Sequence, residues 1–329
     1  MISPNLFSEI ISSDNLFKSW CEFQKDKHNR FDVQFFWRHL EDNLFSLHPE
    51  LKNKTYQHSD YTSFCITDPK SRHIHKACVR DRIVHHAIYR VLYPIFNPIF
   101  VDDSYSCRNK KGTHKAVKRL EKFSRIVSKN YTKPCWTLKC DIKKYFSSVN
   151  HQVLYDLIKR NLKDKQVLWL ISEIISSFHS EIQRERERVK RGVPIGNLTS
   201  QLFANIYLNE LDQFVKHRLK VKFYLRYCDD FVILENDLVE LEKLIPEIKY
   251  FLYSKLKLEL HPNKIIIRKL NQGIDFLGYV VLPHYRVLRT KTKRRMLKKA
   301  NEGNMQSYLG LIKHCSSYGL RQKLLSKKF

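Results

Sequence analysis

Two adjacent carboxylates, Asp229 and Asp230, follow Tyr227-Cys228 between two apolar, β-branched runs, and this arrangement constrains the chain more than any other. Lys222–Arg226 leads in and Phe231–Leu234 leads out. Strand-forming segments flanking a short polar break predict a β-hairpin with the Asp pair at its tip. Two like charges held side by side raise the free energy unless a cation neutralises them, and Mg²⁺ takes carboxylate oxygens. Alone, so short a pattern is equally a surface turn, so the rest of the chain has to decide.

The composition narrows the choice. The 329 residues are 43% hydrophobic, enough for a sizeable core divided into two or three subdomains. Sixty Lys and Arg against 33 acids give a net charge of +27, and such surfaces attract phosphate backbones. A ribosomal-type binding protein and a membrane-surface protein share that charge. No basic helix with a large apolar face stands out, which sets the membrane reading aside. The eight Cys form no CxxC pair, so buried free thiols in a reducing compartment are expected. The start, Met1-Ile2-Ser3-Pro4, lacks a signal peptide's basic and apolar regions, and a cytoplasmic protein is the default expectation.

Residues 1–55 read as helical. Residues 61–67 and 73–79 read as strands around the turn residues Asp68-Pro69-Lys70-Ser71, followed by a helix over Arg82–Val91 that ends before Pro94. Trp136–Ile142 reads as a strand carrying Asp141 at its end, and helical patterns run through 151–179. A helix starts at Thr199 or Ser200, with Leu202, Phe203, Ile206, Tyr207, Leu211, Phe214 and Val215 on one face. A helix over about 237–258 and strands at Lys264–Arg268 and Asp275–Val281 follow. Residues 284–329 hold 13 Lys and Arg against the single acid Glu302. Leu309, Ile312, Leu320 and Leu324 make this a folded basic helical unit rather than a solvated tail.

Nucleotidyl transfer needs a third carboxylate from another element, to hold two ions about 4 Å apart. Asp141, 88 residues before Asp229, is the candidate. Five residues further on, the Phe146 ring could pack against a nucleotide sugar and exclude a 2′-hydroxyl, or could simply be core.

Asp141-Ile142-Lys143-Lys144-Tyr145-Phe146, then Gly192-Val193-Pro194-Ile195-Gly196-Asn197-Leu198-Thr199-Ser200-Gln201, then Tyr227-Cys228-Asp229-Asp230 stand in the order and spacing of reverse transcriptases. His261-Pro262-Asn263-Lys264 and Phe276-Leu277-Gly278-Tyr279 resemble that family's next two blocks. The resemblance covers roughly 60–315. It implies an α+β right-hand polymerase: fingers, an antiparallel palm sheet and a helical basic thumb. The expected boundaries are an N-terminal helical extension at 1–59, fingers and palm at 60–283, and thumb at 284–329. It further implies an RNA-directed DNA polymerase in which Asp141, Asp229 and Asp230 ligate two Mg²⁺ (Mn²⁺ a possible substitute), with the Ile142 carbonyl assisting. Lys70 and Arg72 match residues that grip the incoming dNTP triphosphate, and Tyr145, Phe146, Ile195, Gly196 and Gln201 fall in its pocket. Phe146 resembles the gate that selects deoxynucleotides, Lys264 the lysine that protonates pyrophosphate, and Phe276–Tyr279 the primer grip.

Group II intron enzymes usually carry Gln where this chain has Ile195 and Pro where it has Gln201. The form found here resembles the reverse transcriptases of diversity-generating retroelements, which copy a template RNA with errors at adenine. Losing an amide that can hydrogen-bond the nucleotide lowers discrimination, so error-prone synthesis is expected. The resemblance also implies partners: a structured template RNA, the RNA/DNA duplex and a small basic accessory protein, with no membrane, in a bacterial or phage setting. A compact antiphage-defence reverse transcriptase working with a noncoding RNA fits the same blocks. A non-catalytic RNA-binding protein on a polymerase fold is the competing class, and the three intact Asp speak against it. A ribonucleotide polymerase would need a small residue in place of Phe146.

Overall fold

A computed structural model describes residues 5–68, 71–180 and 190–326. The chain divides into two units of interleaved segments: residues 1–101, 143–212 and 251–259, and residues 102–142, 213–250 and 260–329.

The first unit is built on the helix Val79–Phe96, against which Leu6–Ile11 and Ser13–Phe23 pack. Ser12 starts the latter by accepting from Asn15 N–H at 3.2 Å, satisfying one of the orphan donors of a helix N-terminus. The buried Asn15 amide then donates to the Ile10 and Ala87 carbonyls at 2.9 and 3.2 Å, while its oxygen accepts from Arg90 at 2.9 Å. The helix does not end before Pro94, contrary to expectation. Proline forfeits one intrahelical bond there, and burial of Tyr93 and Phe96 offsets the loss. Strands β1 (Thr62–Ile66) and β2 (Arg72–Lys76) form an antiparallel hairpin with Ile66 opposite Arg72. The helix Leu198–Gln213 is buried nearly all round, so the apolar stripe read from sequence is only part of its covered surface.

The second unit holds a four-stranded antiparallel sheet in the order β4 (Tyr224–Tyr227), β5 (Asp230–Glu235), β3 (Trp136–Asp141), β6 (Ile266–Lys269). The helix Thr113–Val127 covers it through Ala116, Val117, Leu120 and Phe123, against Leu225, Val232 and Leu234. A second sheet contains β7 (Ile274–Phe276), β8 (Tyr279–Val281) and β9 (Arg286–Leu288). The single strand expected over 275–281 is therefore a hairpin, turning at Leu277-Gly278 with φ of +50° and +89°. The strand expected from Lys264 starts at Ile266 instead, because Pro262–Lys264 forms a 3₁₀ turn. The basic C-terminal segment folds, as expected, into the helices Thr290–Lys299, Met305–Ile312 and Tyr318–Leu325. Met296, Ala300, Ile312 and Leu324 join the same core as β7–β9. Among the described residues no helix is long and apolar enough to cross a membrane. All eight Cys are free, but only Cys135 and Cys140 are buried; Cys65 and Cys107 are exposed.

Candidate active site

The register of β3 against β5 places Asp141 directly opposite Asp230, and that of β4 against β5 places Tyr227 opposite Asp230. Cys228 and Asp229 are thus the two central residues of a tight turn. Cys228 has φ +56°, the positive value that two-residue hairpin turns demand of their first position. The turn is fastened from both sides. Ile142 N–H donates to the Asp229 carbonyl at 3.2 Å, and Thr113 donates to the Tyr227 hydroxyl at 3.2 Å. Behind it lies Arg226, 1% exposed, donating to the Cys228 carbonyl and the Ser104 hydroxyl at 3.0 and 3.1 Å. Asp141 is held from its other flank, where its carbonyl accepts from His261 N–H at 2.8 Å.

Three carboxylates therefore share one end of the sheet, at the ends of its central strands. Lys264 Nζ lies 2.7 Å from Asp141 Oδ1, and Lys139 Nζ lies 3.3 Å from Asp230 Oδ2. Asp230 Oδ1 is buried with no hydrogen-bond partner. Burial pushes the Asp230 carboxyl up to about 6 against the pull of Lys139, with Asp141 and Asp229 adding to the rise. Burial and then the Asp141 charge raise Asp229 as well. Among the described residues no three His, Cys, Asp or Glu side chains already stand in ligand geometry. Lys264 and Lys139 engage two of the three carboxylates separately. An orphaned buried carboxylate oxygen beside two more carboxylates is a hard-oxygen donor set, and it fits Mg²⁺ or Mn²⁺.

The remaining predicted residues lie in the first unit, apart from Ile142, which is buried next to Asp141. Tyr145 is also buried, its hydroxyl donating to the Ala204 carbonyl at 2.6 Å, while Phe146 beside it is half-exposed. Both belong to the short helix Tyr145–Ser148, entered through Lys144 at φ +47°. Ile195 and Gly196 pack on β2. The Ile195 carbonyl accepts from His75 N–H at 3.2 Å, and a Cβ on Gly196 would stand 3.2 Å from Ile74 Cγ2, at φ +126°. Arg72 is exposed at the start of that strand, and Gln201 is half-buried in the first turn of the helix Leu198–Gln213. Lys70 lies outside the described residues.

Three polar residues at or near these sites carry no clear mark in the sequence pattern. Lys139 could have been found, because it sits two residues before Asp141 and shares its face of β3. Arg226 could not, since nothing in Tyr-Leu-Arg-Tyr marks its charge as buried. Asn197, 2% exposed with both amide atoms unpaired, stands inside a matched block that gives it no role by itself.

The fold is that of a right-hand nucleic-acid polymerase. The profile of the family described as reverse transcriptase (RNA-dependent DNA polymerase) matches residues 66–281, and the chain belongs to that family. It is 28% identical over 233 residues to Protein YkfC of Escherichia coli, covering 61% of this chain and 60% of that one. It is 24% identical to the group II intron-encoded protein LtrA of Lactococcus lactis, covering 88% of this chain and 57% of LtrA. The chain thus spans about 60% of the length of these curated relatives. Among solved structures, telomerase from Candida albicans, in complex with a TWJ fragment of telomeric RNA, superposes with a TM-score of 0.54. At 13% identity over 89% of this chain and 59% of that one, it is a likeness of fold.

Proposed function

We propose that the chain is an RNA-directed DNA polymerase that makes cDNA from a cognate structured RNA. The observation that carries this reading is the pairing of Asp141 with Asp230 across β3 and β5, beside Asp229 in the adjoining turn. Asp141, Asp229 and Asp230 would hold two Mg²⁺, which supply a lowered pKa at the primer 3′-hydroxyl and charge neutralisation at the triphosphate. Lys264 Nζ, a proton carrier 2.7 Å from Asp141 Oδ1, would protonate the departing pyrophosphate. Arg72, with its planar fork, would grip the triphosphate. The exposed Lys291, Lys293, Arg294, Lys298 and Lys299 would hold the template–primer duplex through its phosphates, so binding weakens steeply with salt.

Phe146 is assigned the sugar gate. Phe146→Val should raise ribonucleotide incorporation relative to deoxynucleotide by about 10- to 200-fold, the range for removing one apolar pocket contact. Single-nucleotide extension with rATP against dATP measures it, and unchanged selectivity removes Phe146 from that role.

Within the family we place the chain with the diversity-generating retroelement enzymes, on the strength of Ile195 and Gln201. The aliphatic-for-amide exchange at Ile195 removes polar contacts that enforce nucleotide geometry, and this supports error-prone copying. Ile195→Gln should therefore lower misincorporation opposite template adenine by about tenfold, a change typical of one regained polar contact. Sequencing cDNA made by both proteins on one template measures this, and equal error spectra would sink the assignment. A small basic accessory protein belongs to the proposal, as does a cytoplasmic setting. The antiphage-defence reading is its rival. Adenine-biased changes in the cDNA that copurifies from cells support the first, and faithful repetitive cDNA from a noncoding RNA the second.

A further inference from the structure

Lys139 lies on β3 opposite Val232, so its side chain reaches diagonally across the strand pair to Asp230. An ammonium has three donors, and two of them find partners here. Lys139 Nζ lies 3.3 Å from Asp230 Oδ2, donates to the Asp275 carbonyl at 2.9 Å and stands 5.9 Å from the centroid of the Phe276 ring. The consequence for Asp230 is asymmetric: Oδ2 faces the lysine, and the buried Oδ1 is left without a partner. The consequence for β7 is an anchor, because Asp275 is itself tied onward. Its carboxylate accepts from Arg289 Nε at 2.6 Å, and Arg289 N–H donates to the Gly278 carbonyl at 2.9 Å, in the turn of the β7–β8 hairpin. Arg289 is also the residue at which the basic helix Thr290–Lys299 begins.

We propose that Lys139 is a positioning residue of the polymerase site: it fixes which oxygen of Asp230 is offered to a divalent cation and ties that carboxylate, through Asp275 and Arg289, to the hairpin of Phe276–Tyr279. The proposal rests on the reading of Asp230 as a metal ligand. It gives Lys139 two opposed effects. Its charge competes with a cation for Asp230, while its grip keeps the carboxylate in one orientation. Removing it relaxes the first and loses the second.

The experiment uses the full chain carrying Lys139→Met or Lys139→Arg, with Asp230→Asn as a separate arm. Mn²⁺ binding to the free protein is read by electron paramagnetic resonance. Primer extension on an RNA template gives kcat and the dNTP KM. Lys139→Met should bind Mn²⁺ about tenfold tighter, since the ammonium 3.3 Å from Asp230 Oδ2 no longer competes with a cation for that carboxylate. Its kcat should fall about tenfold or more with the dNTP KM nearly level, because a misplaced ligand spoils the transition state rather than substrate binding. Lys139→Arg keeps charge and donors and should stay near wild type in both. A Lys139→Met protein with unchanged Mn²⁺ affinity and kcat overturns the proposal, as does a Lys139→Arg protein damaged to the same degree. Should Lys139→Met not fold, Lys139→Gln, which retains a donor for the Asp275 carbonyl, replaces it: tighter Mn²⁺ binding with a lower kcat supports the proposal, and no change in either overturns it. If Asp230→Asn leaves Mn²⁺ binding and extension intact, the metal-ligand reading itself fails, independently of what Lys139 does.

Discussion

Asp229→Asn should silence primer extension by about three powers of ten or more, some 4 kcal/mol of lost transition-state stabilisation, while leaving the melting temperature level or raised. The two halves of this result have one cause. Asp229 sits in a turn whose backbone is already bonded, through its own carbonyl to Ile142 N–H and through the Cys228 carbonyl to Arg226, so the fold does not depend on its charge. Burial and the neighbouring Asp141 make that charge unfavourable in the folded chain. An isosteric amide relieves the repulsion and keeps the shape, but gives up the anionic oxygen that a divalent cation requires. Extension assays with Mg²⁺ and Mn²⁺, paired with thermal melts, read both halves. An active Asp229→Asn protein would remove the carboxylate from the chemistry. An inactive one that also melts well below wild type would make the residue a structural prop.

The second large effect concerns stability in acid. His85 is buried in the first unit, its Nδ1 2.7 Å from Thr199 Oγ1 and its Nε2 3.2 Å from His58. Burial, then the His58 charge, holds its pKa down at about 3, and burial holds that of His86 at about 4. Both lie below the value of about 6.5 expected in an unfolded chain, so on acidification the unfolded chain takes up the protons first. The contribution of these two histidines to stability is therefore fully present above pH 6.5 and is lost as pH falls towards 3 to 4. Asp81 adds to the loss lower still. Its carboxylate accepts from Tyr56 at 2.8 Å and Ser59 N–H at 2.9 Å and lies 3.6 Å from His58, and His58, Cys78 and Tyr56 hold its pKa below the ordinary range despite burial. His85 alone should cost about 2 kcal/mol between pH 7.5 and pH 5, lowering the melting temperature by several degrees. His85→Gln keeps a hydrogen-bonding group for Thr199 and cannot take up the proton, so its melting temperature should fall visibly less over that interval. Parallel pH profiles for the two proteins would refute the assignment.

The hairpin of Asp229 was legible because its flanks are apolar, β-branched and aromatic runs and its centre is polar. The hairpin at Leu277-Gly278 was not, although it has the same two-residue length. Its first central residue is leucine at φ +50°, where Asn or Asp would normally announce such a turn, so the apolar run hides it. Pro94 misled in the opposite sense. The local rule that proline stops a helix is outweighed by two buried aromatics, which only the folded core supplies. The stripe on the helix Leu198–Gln213 was read correctly as apolar, but burial extends to Thr199, Ser200, Asn205 and Asp212 as well. Polar residues count as surface until partners from other segments are known, as His85 is for Thr199.

The sequence by itself determined the candidate site residues, Asp141 at a strand end and the Asp pair at a turn, and the ordered blocks that carry the family. These depend on local pattern, which neighbours in sequence dictate. Only the tertiary structure decided that Asp141 lies opposite Asp230, that Lys264 and Lys139 each take one of the three carboxylates, and that Arg226 is buried behind the turn. Strand register brings residues 88 positions apart into one site, and a slip of one would turn every side chain to the other face. What fixes that register is the burial of Leu138, Cys140, Phe231 and Ile233, a property of the whole sheet rather than of any motif.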